Sequence, residues 1–166
     1  MTDRILDVLQ SNCRNILSLE LYITPIVTGA GYAHLGELAE LTKLTICCYD
    51  DTEENPLDFD FASLQGLLKL KTIKTFNINL TRLTDLQPVT SLTELDVKAW
   101  SDITEADVMA IGSLTQLKSL SIDSDIIETE QGDLQEVHLV HLEGLTQLES
   151  LVLTSIELKP FVHCED

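Results

Sequence analysis

The stretch Leu117-Lys118-Ser119-Leu120-Ser121-Ile122 decides the fold of this 166-residue chain, because its pattern, L-x-x-L-x-L, occurs six times. The other copies are Ile16/Leu19/Leu21, Leu41/Leu44/Ile46, Ile73/Phe76/Ile78, Leu92/Leu95/Val97 and Leu148/Leu151/Leu153. The second and third apolar residues alternate with polar neighbours, as in a half-buried β-strand. Between the copies, apolar residues recur at three- and four-residue intervals. The chain is therefore predicted to repeat a strand and a return segment.

The spacing of the copies indicates an internal duplication. The first positions are 25, 32, 19, 25 and 31 residues apart, and an offset of 76 residues relates the first two copies to the fourth and fifth. We infer a duplicated unit of three repeats. Starting the third copy at Leu70 would change the spacings of 32 and 19 to 29 and 22, but it would place Thr75 in the core. Because a core position favours an apolar residue, we place the third copy at Ile73.

Two segments resemble subclasses of the leucine-rich repeat family. Residues 83–95, Leu-Thr-Asp-Leu-Gln-Pro-Val-Thr-Ser-Leu-Thr-Glu-Leu, are similar to repeats of the bacterial internalins. Residues 103–120 resemble the helical repeats of F-box and related cytosolic proteins. The resemblance covers essentially the whole chain. It implies an α/β solenoid with a curved parallel sheet of about six strands on its concave side and helices and turns on its convex side.

The chain departs from the family pattern at one turn. Most leucine-rich repeats carry Asn three residues after the last strand leucine, whereas this chain has other residues there. They are Thr24, Tyr49, Thr81, Trp100, Asp125 and Ile156. Tyr49 and Trp100 either fill the turn or project outward as binding anchors.

The return segments and the two ends are predicted as parts of one domain, residues 1–166. Residues 1–12 form an N-terminal capping helix, and residues 154–166 form a C-terminal tail. Thr104 is at a position where its side chain can cap the N-terminus of a predicted helix. This helix would bury one apolar stripe. The predicted stripes are Val108, Ile111 and Leu114 in that helix, and Tyr32, Leu35 and Leu38 in residues 29–38. Poor capping of the ends would favour a homodimer.

Composition excludes several functions. The chain has 28 acidic and 10 basic residues, a net charge of −18 and a pI near 4.3, so it would repel nucleic acid and anionic membranes. No apolar stretch is long enough to span a membrane, and no signal peptide is visible. The four cysteines, at 13, 47, 48 and 164, lack metal-site spacing and indicate reduced thiols. We therefore expect a cytoplasmic protein that binds a basic partner.

The outward residues of the concave face form the predicted binding surface, because strand alternation points them away from the core. Small polar and acidic residues predominate among these outward residues, and Tyr22 is the only aromatic residue among those in the predicted strands. The predicted binding residues, which include Trp100 at a turn, are Glu20, Tyr22, Lys43, Thr45, Asn77, Asn79, Glu94, Asp96, Lys98, Trp100 and Asp123. Recognition would depend on hydrogen bonds and charge. A sheet face that is merely solvated is the alternative.

Acidic segments follow the second and fifth strands and define a predicted rim. Its residues are Asp50, Asp51, Glu53, Glu54, Asp125, Glu128 and Glu130. The two segments should lie ~14 Å apart, where a basic peptide segment would bridge them. Ordinary solvated loops are one alternative. Calcium binding is another, but neither segment matches the loop D-x-[DN]-x-[DN]-G.

Catalytic patterns are weak. His138, His141, His163 and Cys164 could nominally form a zinc site, but their spacing is not specific. There is no P-loop, no G-x-S-x-G and no H-E-x-x-H, and no cofactor is expected. The sequence thus predicts a non-catalytic adaptor or scaffold. The alternative is an acidic inhibitor, or immunity-type protein, that neutralises a basic enzyme or toxin. A role in substrate recognition for a ubiquitin ligase would need an additional F-box-like segment.

Overall fold

A computed structural model of the chain describes residues 3–23, 29–48, 57–59, 61–79, 83–99, 105–124 and 140–154. Six strands lie parallel in one sheet, side by side in chain order. They are β1 (Ser18–Ile23), β2 (Lys43–Cys48), β4 (Thr72–Asn79), β5 (Glu94–Ala99), β6 (Ser119–Ser124) and β7 (Ser150–Thr154). A two-residue strand, β3 (Leu57–Asp58), pairs with the end of β4. This arrangement confirms the predicted α/β solenoid.

Short helices occupy the segments that precede the strands. The α-helices are α1 (Asp3–Asn12), α2 (Gly29–Ala33) and α3 (Glu105–Gly112). Single-turn 3₁₀-helices lie at His34–Glu37, Phe61–Leu64, Leu83–Leu86 and Val140–Gly144. The predicted stripes are confirmed, because their side chains, those of Tyr32, Leu35, Leu38, Val108, Ile111 and Leu114, are at most 3% exposed. The proposed cap residue Thr104 lies outside the described residues.

Leucines at three-residue intervals carry the chain from each helix into the next strand. The N–H of Leu38 donates to the carbonyl of Leu35 at 3.0 Å, and the N–H of Leu41 donates to Leu38 at 2.8 Å. Equivalent pairs of bonds occur at Leu64/Leu67/Leu70, Leu86/Val89/Leu92, Ile111/Leu114/Leu117 and Leu142/Leu145/Leu148. Bonds of this spacing align side chains three residues apart. All three apolar residues of a turn can therefore face the core.

One carbonyl group per repeat fixes the register of the following strand. The carbonyl of Thr42 accepts hydrogen bonds from the N–H groups of Lys71 and Thr72, at 2.8 and 3.1 Å. The same two-donor arrangement occurs at the carbonyls of Leu17, Lys71, Thr93 and Lys118. Because the donors are consecutive amides at the strand entrance, neighbouring repeats are held in register before the sheet begins.

The core lies between the sheet and the return segments. The first inward residues of the four inner strands, which are Leu44, Ile73, Leu95 and Leu120, are each at most 1% exposed. Tyr32, Phe59 and Phe61 form a buried aromatic group with edge-to-face contacts. The ring centroids lie 4.9 Å apart for Tyr32 and Phe59 and 5.1 Å apart for Phe59 and Phe61. Burial of apolar surface of this extent is the main favourable contribution to folding.

The predicted position of the third repeat is wrong by three residues. In the sheet, Thr75 lies beside Ile46 of β2 and Val97 of β5, at a core position. Leu70, Ile73 and Thr75 are all 0% exposed. The repeat therefore begins at Leu70, and a threonine does occupy the core. Within the part of the chain that the structure describes, its hydroxyl has no hydrogen-bond partner.

A β-bulge explains why the apolar pattern of β4 predicts the wrong residues for the core. The register shifts between Phe76, which lies beside Lys98, and Ile78, which lies beside Ala99. The extra residue, Asn77, returns Ile78 to the core side, where it is 0% exposed. Phe76, predicted as a core residue, lies on the opposite face of the sheet.

Glycines allow neighbouring repeats to approach closely on the helical side. A Cβ atom on Gly36 would lie 2.6 Å from the carbonyl oxygen of Ser63. Cβ atoms on Gly66 and Gly112 would also collide with backbone carbonyls of the adjacent repeat, whereas one on Gly144 would lie 3.2 Å from such an oxygen. Gly36, Gly66 and Gly112 are thus required by backbone contact between repeats, whereas the contact at Gly144 is less tight.

The two ends of the sheet differ. Near β1, the helix α1 buries Leu6 to 1% exposure, and Leu9 packs against the core. At the other end, Leu151 of β7 is 49% exposed, although it occupies a core position of its repeat. Of the predicted tail, residues 154–166, Thr154 belongs to β7 and the rest lies outside the described residues. None of the helices described is long and apolar enough to cross a membrane.

Candidate functional site: the polar face of the sheet

The strand register arranges the outward residues in three rows, which together we call the polar face. Each row runs from β1 to β7. The first is Ser18, Lys43, Thr72, Glu94, Ser119 and Ser150; the second is Glu20, Thr45, Lys74, Asp96, Ser121 and Val152; the third is Tyr22, Cys47, Phe76, Lys98, Asp123 and Thr154. This is the face predicted to be concave.

Most of the predicted binding residues in the strands belong to these rows. They are Glu20, Tyr22, Lys43, Thr45, Glu94, Asp96, Lys98 and Asp123. Thr45 is only 9% exposed, so its neighbours cover it. Asn77 lies at the bulge and Asn79 pairs with Asp58, while their side chains are outside the description. Trp100 and the acidic rim, from Asp50 to Glu54 and from Asp125 to Glu130, also lie outside the described residues.

Three residues of the polar face were missed because the third repeat was placed incorrectly. They are Thr72, Lys74 and Phe76. A third repeat that starts at Ile73 would instead place Thr75, Asn77 and Asn79 at these outward positions. The signal that identifies them is the series Leu64, Leu67 and Leu70, which has the same three-residue spacing as the turns before the other strands.

Charged side chains pair across neighbouring strands. Lys74 Nζ lies 3.2 Å from Asp96 Oδ2, and Lys98 Nζ lies 3.6 Å from Asp123 Oδ2. The same Lys98 ammonium lies 5.7 Å from the centre of the Phe76 ring. Partly exposed pairs of this kind contribute about 0.2 to 1 kcal/mol each. They orient the lysines over the sheet rather than stabilise the fold strongly.

The polar face is nearly balanced in charge. Its three lysines are Lys43, Lys74 and Lys98, and its four carboxylates are Glu20, Glu94, Asp96 and Asp123, which gives a net charge of −1. The whole chain carries −18. Segments outside the described residues contain 14 of the 28 acidic residues but only two basic ones, Arg82 and Lys159. Most of the negative charge thus belongs to those segments.

Tyr22 and Glu20 form a polar and aromatic group at the β1 end of the polar face. The Tyr22 hydroxyl donates a hydrogen bond of 2.7 Å to Glu20 Oε1, and the Tyr22 side chain is 54% exposed. This hydrogen bond, together with the negative charge of Glu20, raises the pKa of Tyr22 above its ordinary value of 10.0. The phenol therefore stays protonated and the ring remains available to a partner.

The cysteines of the described residues form no disulfide with one another, and Cys47 is poorly activated. Cys13 is exposed, Cys48 is buried, and Cys47 is half-buried on the polar face. Burial raises the pKa of Cys47, and the charge of Glu20 raises it further. Because the thiolate is the reactive form, this environment is the opposite of that of a nucleophilic cysteine.

The histidine that the structure describes at the predicted zinc position forms a different contact. His141 Nε2 lies 3.1 Å from Glu105 Oε1, which joins the 3₁₀-helix before β7 to α3. Among the residues described, no group of three or more His, Cys, Asp or Glu side chains could hold a metal ion. His138, His163 and Cys164 lie outside that part of the chain.

Comparisons with known proteins show a shared fold. No family model matches the chain, and neither does any curated protein. Two solved structures from Listeria monocytogenes are similar to it. Internalin InlF has a TM-score of 0.55 and 20% identity, and the match covers 91% of this chain and 37% of that one. Internalin C2 has a TM-score of 0.55 and 22% identity, and the match covers 93% of this chain and 56% of that one.

The chain thus spans less than two thirds of either internalin structure. At these identities the likeness concerns architecture. It agrees with the six parallel strands, the leucine turns and the repeating carbonyl ladder. The chain therefore has the leucine-rich repeat fold, as the resemblance of its sequence to that family implied.

Proposed function

We propose that this chain is a non-catalytic protein-binding module, an adaptor or scaffold, that receives its partner on the polar face. The observation that carries this proposal is the presence of an exposed aromatic residue and paired charges on one face of the parallel sheet. Tyr22 is 54% exposed at one end, and Lys98 lies over Phe76 near the centre. Tyrosine is enriched among the residues that dominate binding energy at protein interfaces.

Glu20 indicates which kind of side chain the partner presents to the polar face. Among the side chains that the structure describes, none forms an ion pair with Glu20, which accepts only the Tyr22 hydroxyl. Lys74 and Lys98 are already paired within the sheet. A partner arginine or lysine placed between Glu20 and the Tyr22 ring would gain a charged hydrogen bond and an aromatic contact. We therefore propose that the partner has a basic segment and that an arginine or lysine of this segment contacts Glu20 and Tyr22.

The acidic segments have a separate role in this proposal. A net charge of −18 attracts a basic protein over distance and repels nucleic acid and anionic membranes. The polar face, with a net charge of −1, instead determines which partner stays bound. Replacing Asp50, Asp51, Glu53 and Glu54 by Lys should slow association and flatten its salt dependence. Unchanged association kinetics would remove these residues from the proposal.

The polar face is tested by affinity capture from a lysate of the source organism at two salt concentrations. Three baits are compared: the unmodified chain, Tyr22→Ala, and Leu68→Ala as a control. Leu68 is 77% exposed but lies in a return segment, away from the polar face. We expect a protein that the unmodified chain and the control retain, and that Tyr22→Ala loses. Equal capture by all three baits would contradict binding on this face.

The charge also favours a second candidate function, an acidic inhibitor that occludes a basic enzyme or toxin. The two candidates predict different stoichiometry and affinity. An inhibitor would retain one partner at a 1:1 ratio with a Kd of about 1 nM or less, whereas an adaptor would retain several partners more weakly. Light scattering on the purified chain would separately test whether it forms the homodimer that poorly capped ends would favour.

We also propose that the protein acts in the cytoplasm. Cys13, Cys47 and Cys48 form no disulfide in the part of the chain that the structure describes. Cysteines without a disulfide fit a reducing compartment, and this supports the cytoplasm as the place where the partner is met.

A further inference from the structure

The last repeat leaves part of its core open. Leu151 is 49% exposed, whereas the equivalent residue of the preceding strand, Leu120, is 0% exposed. Leu148 and Leu153 are also only partly buried. Core positions of the same repeat pattern thus face solvent where the described residues end. A surface of this kind requires a cover, because exposed apolar area is unfavourable in water.

The last repeat is built like the third repeat. An offset of 78 residues relates the two, and both start with a single-turn 3₁₀-helix, at Phe61–Leu64 and at Val140–Gly144. The N–H of Leu67 donates to Leu64 at 2.9 Å, and the N–H of Leu145 donates to Leu142 at 3.0 Å. The remaining equivalent pairs are Gly66/Gly144, Leu70/Leu148, Ile73/Leu151 and Thr75/Leu153.

The same offset continues in the sequence beyond β7. Residues 155–166, Ser-Ile-Glu-Leu-Lys-Pro-Phe-Val-His-Cys-Glu-Asp, align with residues 77–88. Three of the aligned residues in the third repeat, Ile78, Leu83 and Leu86, are at most 1% exposed. Their counterparts are Ile156, Phe161 and Cys164. Each is a residue that favours burial.

We propose that residues 155–166, the C-terminal segment, dock against the open end of the last repeat as residues 77–88 do in the third. Ile156 continues β7 on its core side, and Phe161 and Cys164 cover Leu151 and Leu153. The segment has the length of its counterpart and is joined directly to Thr154, so docking costs little loop-closure entropy. Val152 lies on the polar face and stays exposed, which leaves the proposed binding surface unchanged.

Thiol labelling tests this docking on the full chain. Iodoacetamide is added for a series of times, and mass spectrometry of peptides follows each cysteine separately. Each rate is divided by the rate of the same cysteine in unfolded protein. We expect Cys164 to react about tenfold or more slowly than the exposed Cys13 on this scale. Equal normalised rates for Cys164 and Cys13 would overturn the proposal.

Two neighbouring substitutions test the register of the docked segment. Phe161 aligns with the buried Leu83, whereas Val162 aligns with Thr84, which is exposed. Phe161→Ala should therefore restore fast labelling of Cys164, and Val162→Ala should leave it slow. Phe161→Leu, which copies the third repeat, should also leave it slow. Equal effects of the two alanine variants would overturn the register.

Two further readouts separate docking from other causes of protection. The buried Cys48 reports on the fold of the whole domain, so it should stay protected in every variant. The labelling is repeated at several protein concentrations, with light scattering on the same samples. Protection that is independent of concentration in a monomer supports the proposal. Protection that increases with concentration and accompanies a dimer would assign the cover to a second copy and overturn it.

Discussion

Replacing Thr75 by Val should stabilise the protein. The side chain is 0% exposed and lies between Ile46 and Val97, and its hydroxyl has no hydrogen-bond partner among the described residues. Folding therefore removes this hydroxyl from water without compensation, at a cost of about 1 to 3 kcal/mol. Valine has nearly the same shape, so the substitution replaces the hydroxyl by a methyl group without a cavity. We expect the free energy of unfolding to rise by about 1 to 2 kcal/mol.

Urea unfolding followed by far-UV circular dichroism measures this gain. For a chain of this size, each kcal/mol corresponds to about 2 to 4 °C in Tm, so thermal unfolding should shift upward by about 2 to 8 °C. Thr72→Val is the control, because the Thr72 hydroxyl donates to Glu94 Oε2 at 3.2 Å and its removal brings no such gain. If Thr75→Val leaves stability unchanged or lowers it while the slope with urea stays constant, the argument from the unpaired hydroxyl is refuted.

Two other predictions concern the helical side and the polar face. Gly36→Ala should destabilise the protein by about 1 to 3 kcal/mol in urea unfolding, because its new Cβ would lie 2.6 Å from a backbone oxygen. Gly144→Ala, with 3.2 Å available, should cost clearly less, and equal losses would argue against this contact. Glu20→Gln should lower the pKa of Tyr22 measured by NMR titration, because the charge that disfavours the phenolate is removed. Glu94→Gln is the control and should leave that pKa unchanged.

Five of the six main strands could be placed from the sequence, because the two core residues within each of these strands are both apolar. Leu44 and Ile46, or Leu120 and Ile122, allow only one assignment of faces. Strand β4 allows two assignments, since Ile73 can be followed in the core by Thr75 or by Phe76. Hydrophobicity alone favours phenylalanine, and this choice was wrong. The turn decides instead, because hydrogen-bonded leucines at three-residue spacing fix where the strand starts.

The bulge in β4 had no clear signal in the sequence. Alternation along a strand assumes one residue per step, and the bulge at Asn77 breaks that assumption. It places both Ile73 and Ile78 in the core, which no regular strand starting at either residue would do. A single extra residue therefore determined whether Lys74 and Phe76 were recognised as part of the polar face.

The cross-strand contacts of the polar face were also beyond the sequence pattern. Alternation correctly placed Lys98 and Asp123 on that face, but the distance between them depends on side-chain rotamers and on the lateral neighbours. The ion pair of Lys74 with Asp96 required the corrected register as well. Sequence patterns thus predict which face a residue occupies, whereas the structure shows which charged residues on that face already form ion pairs with each other.

The glycine contacts between repeats have a consequence for how such a chain can be lengthened or recombined. The joint of Gly36 with the repeat that carries Gly66 is formed again by Gly112 and the repeat that carries Gly144. Because both joints bring backbone against backbone, they depend little on the side chains around them. A block of three repeats cut at equivalent points should therefore fit onto another copy of itself. Such modular joints provide a physical route by which a solenoid can grow through gene duplication without redesign of its core.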